Sequence, residues 1–585
     1  MEDLPEFNSL AEVLRWRATQ HPEWPLYSYV QDVDRELGRL TYREVDIRAR
    51  ALAFALLQHA QPGDRALLLY PSSLDYPVAF LACLYANIVA VPAYPPDPGR
   101  ATQSLSRVLD IVRDAGASLI LTLDECREFV NLARASASDP QSIAVITTDR
   151  IDRENANRWS PPTPSGDDPI AFLQYTSGST GVPKGVMISH QNLIAHQRLA
   201  HEVFACKEEQ ITVSWLPFYH DMGLIGPMLY PLYSGGHTVF MSPMSFLRRP
   251  LNWLYTIAKY RASVSTAPNF AYERCLERAQ EEDFAALDLS SWELTVCGAE
   301  PLRSDTLRRF VDNFAACGFR PQTFLPCYGM AEATLMVTGT RRSDPPHVRS
   351  FSAAALRRGH ALVCQEGEVV EMVGCGWPMR DHEIVVVNPD TCEELGACTI
   401  GEVWLRGPSV GRGYWGQESR NQQTFSAFTN DGRGPFFRTG DVGFLLDGEL
   451  FVIGRMRDQL RSGPCLIPAH LLERDIEASP IGESIALAVA FQDPSDADKV
   501  VLALELRKRS DAPAMLTLCE KVAGELAAHH EISHIRVLVT TPRQVAKTSS
   551  GKIRRFAYAA ALARNDLEIL AQAQIDKAPL LARKM

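Results

Sequence analysis

The hydrophobic pattern of the first 190 residues switches between two periods. Short apolar runs such as RALLLY (Arg65 to Tyr70), SLIL and AVITT predict strands, and the dense run PVAFLACLYANIV (Pro77 to Val89) predicts a packed helix. Clustered prolines in AVPAYPPDPG (Ala90 to Gly99) exclude helix and predict an extended loop. The alternation predicts layered α/β structure around a largely parallel sheet. A polar linker, SPPTPSGDDP (Ser160 to Pro169), delivers the chain into IAFLQY, an apolar run suited to a buried strand. GVMIS predicts another strand, and Ser189 is placed to cap a helix that starts near His190.

From about Glu368 to Arg406 the pattern turns β-rich (EVVEMVGCG, HEIVVVN, GEVWLRG), which predicts a barrel-like subdomain or a third sheet. FFRTGDVGFLLDGELFVIGRMRDQL (Phe436 to Leu460) predicts a hairpin turning at Asp447-Gly448 and then a sharply charged ending. That ending places a domain boundary near Arg457 and Asp458, giving a large unit over 1–457 and a small α+β unit over 458–585 that closes in a helical tail.

Length supports this division, because 585 residues exceed one ordinary core. With 46% apolar and 22% charged residues and no apolar run long enough to cross a bilayer, the chain reads as globular, with no stable membrane insertion. The opening MEDLPEFNSL has neither the basic nor the apolar block of a secretory leader, and a cytoplasmic location is expected. The thirteen cysteines include no CxxC pair and no Cys/His cluster at zinc spacing, so reduced thiols are expected. A net charge of -11 argues against nucleic-acid binding, which needs a surplus of Lys and Arg, yet leaves room for a small anionic ligand at a local positive site.

One stretch has the composition of such a site. YTSGSTGVPKGVMISH (Tyr175 to His190) packs hydroxyl residues, three glycines and one lysine between two predicted strands. Glycines let backbone N–H groups approach an anion, the hydroxyls of Thr176, Ser177, Ser179 and Thr180 can donate, and Lys184 adds charge. It is not a Walker loop, because Lys184 precedes Gly185 and a strand, not a helix, follows. By composition alone the stretch equally describes an exposed Ser/Gly loop.

Its company decides between these. YTSGSTGVPKG, WLPFYHDMGLIG, VCGAEPLR, YGMAEATL, RTGDVGFL, GRMRDQ and KTSSGKIRR occur in the order characteristic of the adenylate-forming superfamily, and the resemblance spans nearly the whole chain. Within it the sequence most resembles the fatty acyl-AMP ligases, through ANIVAVPAYPP, YHDMGLIGPML and an extra segment from Ser350 to Pro378, its insertion at about 350–374. Acyl-CoA ligases are similar elsewhere and generally lack this segment; they are the nearest rival, and a catalytically silent nucleotide-binding scaffold is the other.

The resemblance implies ATP and Mg²⁺ as cofactors, a fatty acid as substrate and a separate holo acyl carrier protein as acceptor, since no GxDSL-like site is present. It implies that Thr176, Ser177, Gly178, Ser179, Thr180, Gly181 and Lys184 close over the β- and γ-phosphates, and that Glu332 helps hold Mg²⁺. Tyr328, with Gly329, Met330 and Ala331, and Gly298, Ala299 and Glu300 would flank adenine; Asp441 and Arg455 would bind the ribose. Lys552 would reach the carboxylate and α-phosphate, His220 would border the acyl and pantetheine channels, and Asp458 matches the hinge of a swinging C-terminal domain. Met222 to Ile225 and Ala267 to Phe270 would line the acyl pocket, apolar stretches that equally suit a core. Arg455, Arg457, Arg461, Arg554 and Arg555 could form a basic docking patch for an acidic carrier or be solvated charges. After the hinge, QLRSGPCLIPAHLLERDIE (Gln459 to Glu477) departs from the family by replacing its aliphatic run with polar residues, which puts thioester transfer in more doubt than adenylation.

Overall fold

The computed structural model describes residues 4–94, 101–135, 143–164, 166–176, 183–463, 465–508, 511–542, 544–545 and 553–576. Two sheets form the frame. In the first, the strands run in the order Ala144–Thr147, Leu119–Thr122, Arg65–Leu68, Val89–Pro92, Ile170–Thr176 and Lys184–Ser189. All neighbours are parallel except the last pair. The second sheet has nine strands, and six of them, from Phe324–Gly329 through Leu294–Cys297, Val264–Ala267, Ile211–Ser214 and His237–Met241 to Pro25–Val30, form a continuous parallel run. One apolar cluster draws on both sheets, with Leu68 and Phe172 from the first and Tyr27 and Phe240 from the second. It also takes in the helix Asp75–Tyr85, buried on nearly every face, which explains the dense apolar run there.

Local signals hold where they were specific. Ser189 caps the helix His190–Phe204 in a reciprocal capping box with Asn192, and Asp447 and Gly448, both at positive φ, close the two-residue turn between Phe437–Leu446 and Glu449–Arg455. None of the thirteen cysteines forms a disulfide.

Three expectations are corrected. The β-rich middle does not close into a barrel: Glu383–Val387, Gly401–Arg406, Phe437–Leu446 and Glu449–Arg455 form an open four-stranded antiparallel sheet, and EVVEM instead pairs Val369–Val373 with Val348–Ser352 in a separate hairpin. Phe351 of that hairpin is fully buried against Phe444 and Phe451, so it seals one face of the four-stranded sheet. The loop expected from Ala90 begins later, because Val89–Pro92 is a buried parallel strand that tolerates its proline as the last residue; 95–100 lie outside the described residues. The expected helical tail is the helix Arg555–Ala563 followed by a strand, Ile569–Asp576, whose apolar–polar alternation fits an edge position beside His534–Thr540.

From Leu460 onward the buried apolar residues form clusters drawn only from that part of the chain. Its sheet runs Ile485–Gln492, Val500–Leu506, His534–Thr540, Ile569–Asp576.

The turn after Phe324–Gly329 is the tightest point of the frame. Met330 N–H donates to the Leu335 carbonyl at 2.7 Å, and a Cβ added to Gly329 would lie 1.8 Å from that same oxygen. Gly329→Ala must therefore shift backbone, and we expect it to destabilise the fold by about 3 kcal/mol, the upper range for overpacking. Gly524→Ala, on the helix Ala512–His529 with no atom in the path of its Cβ, should be neutral or stabilising. Thermal unfolding of the two variants side by side checks this; equal melting temperatures would contradict it.

Candidate active site

Parallel strands present their carboxyl ends, and the loops beyond them, on one edge of a sheet. On that edge of the nine-stranded sheet Ile211–Ser214 leads to His220, Leu294–Cys297 leads to Gly298–Glu300, and Phe324–Gly329 carries Tyr328 and leads to Glu332. Gly298 sits where a side chain would press on the next strand, with a Cβ 3.0 Å from Cys327 Sγ and 3.1 Å from its carbonyl oxygen. Ala299 holds a positive φ of 68° and is exposed. Glu300 Oε1 accepts from the Phe270 N–H at 2.7 Å, which orients the turn after Val264–Ala267.

Asp441 is the pivot of the site. Only 5% exposed, it lies on Phe437–Leu446 directly opposite Arg455 in the hairpin register. Arg455 Nε meets its Oδ1 at 2.9 Å, and the Tyr328 hydroxyl donates to Oδ2 at 2.7 Å. The Asp441 carboxylate holds the Arg455 guanidinium well above its ordinary pKa, and burial, with Asp441 alongside, raises the Tyr328 phenol. The sheet edge and the four-stranded sheet thus meet at one charged contact.

A second contact joins Glu332 to Lys184. The segment 411–415 runs beside Lys184–Ser189, with Met187 N–H donating to Gly413 O at 2.8 Å and Trp415 N–H to Gly185 O at 2.8 Å. Asn192, the capping-box partner of Ser189, holds this segment by donating to Pro408 O at 2.8 Å and Val410 O at 3.0 Å. Tyr414 is thereby placed to donate to Glu332 Oε1 at 2.8 Å, while Lys184 Nζ lies 5.3 Å from the centre of its ring. Gly411 N–H donates to the Glu332 carbonyl at 2.8 Å, which fixes the backbone as well. Lys184 is 7% exposed, and burial, then nearby Arg420, pushes its pKa down to about 8 against the pull of Glu332.

Of the residues expected from sequence, the structure brings together Tyr328, Asp441 and Arg455, and brings Glu332 and Lys184 onto Tyr414. Thr176 ends its strand opposite Lys184, whereas Ser177, Gly178, Ser179, Thr180, Gly181 and Lys552 lie outside the described residues. His220 caps the short turn Asp221–Gly223, its ring 4.8 Å from that of Tyr219, and the Tyr219 carbonyl accepts from Gln174 at 2.9 Å. Asp458 Oδ2 takes Arg555 Nη1 at 3.2 Å, so the expected hinge residue is bound to the C-terminal part of the chain. Leu224 and Ile225, expected to line an acyl pocket, are fully buried in the core cluster shared by the two sheets. Tyr414 and Arg420 were missed; the only signal for Tyr414 was an aromatic pair set among glycines in GRGYWG.

Comparison with known proteins identifies the family of the chain. The model of the AMP-binding enzyme family matches residues 14–415. A medium-chain-fatty-acid–[acyl-carrier-protein] ligase, JamA, of Moorena producens is 37% identical over 562 residues, covering 94% of this chain and 95% of its own. A 4-hydroxyphenylalkanoate adenylyltransferase of Mycobacterium tuberculosis is 35% identical over 573 residues, covering 94% and 91%. Among solved structures, a fatty acyl-adenylate ligase from Legionella pneumophila in complex with acyl adenylate and pyrophosphate superposes with a TM-score of 0.74 at 34% identity, over 98% of this chain and 99% of that one. With the motifs in order and the site assembled at the sheet edge, the chain belongs to the AMP-binding enzyme family and, within it, to the fatty acyl-AMP ligases.

Proposed function

We propose that this protein activates a fatty acid with ATP and passes the acyl group to the phosphopantetheine thiol of a separate acyl carrier protein. The observation that carries the reading is the convergence, at one sheet edge, of a buried Asp–Arg–Tyr contact and a Glu–Tyr–Lys contact, in a chain similar to a ligase solved with acyl adenylate and pyrophosphate.

In the first half-reaction a carboxylate oxygen forms a bond to the α-phosphorus and the bond to the bridging oxygen of pyrophosphate breaks. Two anions must meet, so the chain supplies charge and alignment more than covalent chemistry. Asp441, held by Arg455 and Tyr328, accepts from the ribose hydroxyls; Tyr328 and Gly298–Glu300 flank the base. Thr176 to Lys184 close over the β- and γ-phosphates, and Lys552 balances charge at the α-phosphate. A Mg²⁺ ion, when bound, neutralises phosphate charge, and a single carboxylate such as Glu332 beside nucleotide oxygens suits a cation that keeps most of its ligands as water and phosphate. Tyr414 fixes that carboxylate. In the second half-reaction the C-terminal unit pivots about Asp458, releasing the contact to Arg555, and the thiol, giving up its proton, bonds through sulfur to the acyl carbon past His220 as the acyl–phosphate bond breaks and AMP leaves. No helix among the described residues is long and apolar enough to cross a membrane, and a cytoplasmic site of action accords with the free thiols.

The direct test supplies ATP, Mg²⁺ and a graded fatty-acid series, with acyl-AMP detected by mass and the acceptor varied between holo carrier and coenzyme A. Acyl-AMP should form with at least one chain length and be consumed by the carrier. Lys552→Ala should abolish adenylate formation while still binding ATP. Efficient acyl-CoA formation would overturn the carrier as acceptor, and no acyl-AMP with any acid would overturn the activity.

Lys184 gives a pH dependence. Its charged form prevails below about pH 8 in the free protein, and bound phosphates raise that value, so nucleotide binding takes up a proton above pH 8. KM for ATP should rise by about tenfold per pH unit between pH 8 and 10. Lys184→Met should bind weakly with a flat profile; a flat wild-type profile to pH 9.5 would contradict this role.

A further inference from the structure

A cluster of metal-binding side chains lies away from the active site, where the Val348–Val373 hairpin meets the C-terminal unit. His529 ends the long helix Ala512–His529, His530 caps it, and Asp475 projects from the helix Ala469–Ala478. His530 Nε2 stands 2.8 Å and His529 Nε2 3.6 Å from the same oxygen, Asp475 Oδ2, and one ligand atom from each of the three lies within 4.8 Å of the others. From across the seam Glu368, the residue just before the strand Val369–Val373, brings Oε1 to 3.8 Å from His529 Nε2.

Ligand bonds of about 2.0–2.1 Å in a tetrahedral site put neighbouring donor atoms about 3.3 Å apart. The three separations above bracket that value. Arg357 donates to both Glu368 oxygens, Nη1 to Oε1 at 3.2 Å and Nη2 to Oε2 at 3.1 Å, and also faces Glu531 at 3.8 Å; a carboxylate oxygen that accepts one hydrogen bond keeps a second lone pair, which leaves Oε1 able to reach an ion. His530 is 6% exposed at its side chain and thus pre-positioned, while His529 at 57% leaves a path for entry. Two imidazoles with two carboxylates select borderline first-row ions over the hard Mg²⁺ used with nucleotides.

We propose that Asp475, His529, His530 and Glu368 bind one Zn²⁺-class divalent ion, which latches the hairpin to the C-terminal unit. The site does not depend on the nucleotide chemistry, and binding is measured without substrates.

The test is a Co²⁺ titration of the full chain in excess Mg²⁺, followed by visible absorption, with Zn²⁺ as competitor. One equivalent should bind with the intensified bands of a low-coordinate nitrogen/oxygen site and be displaced by Zn²⁺. His529→Gln, exposed enough to spare the fold, should weaken binding at least tenfold, and Glu368→Gln several-fold. Unchanged affinity in His529→Gln, a pale six-coordinate spectrum, or a thiolate charge-transfer band would overturn the site. Unchanged affinity in Glu368→Gln would overturn the latch.

Discussion

Burying the carboxylate of Asp441 is the constraint around which the site is built. An isolated charge at that depth costs several kcal/mol, and removing one partner of such a pair leaves the other stranded at similar cost. Asp441 meets this with partners from two places: Arg455 across its own hairpin, and Tyr328 from the end of a parallel strand in the nine-stranded sheet. The four-stranded sheet is therefore fixed against the sheet edge at Asp441. The two contacts together fix both oxygens of the Asp441 carboxylate.

The second contact works through a segment with little structure of its own. Residues 408–415 are held by Asn192, by the backbone of Lys184–Ser189 and by the Glu332 carbonyl, and their product is one placed tyrosine. Tyr414 couples the strand that carries Lys184 to the turn that carries Glu332. The Val348–Val373 hairpin adds a third tie, since Phe351 anchors it to the four-stranded sheet while Glu368 and Arg357 face the C-terminal unit.

Much of this was legible in the sequence because it is local. IAFLQY reads as a strand from its own apolar run, Ser189 as a cap from its own side chain, and Asp447-Gly448 as a turn from backbone preference. Glu332, Asp441, Arg455 and Lys184 were legible only as an ordered set of motifs, since each alone resembles an ordinary surface or turn residue. What could not be read depends on pairing across long stretches of chain. Tyr414 gains a role only because it meets a residue 82 positions away, and His530 only because Asp475 lies 55 positions before it. The barrel expectation failed for the same reason: strand pattern fixes which residues are extended, but not whether the outermost strands find each other. The strand Ile569–Asp576 was hidden in a short alternation beside a clearly helical run.

The proposed chemistry requires Asp441 to seat the nucleoside. Titration calorimetry of AMP against wild type and Asp441→Asn, each checked for a cooperative thermal transition, tests it most directly. The folded variant should bind AMP at least tenfold more weakly, about 1.4 kcal/mol. Wild-type affinity in a folded Asp441→Asn protein would contradict it.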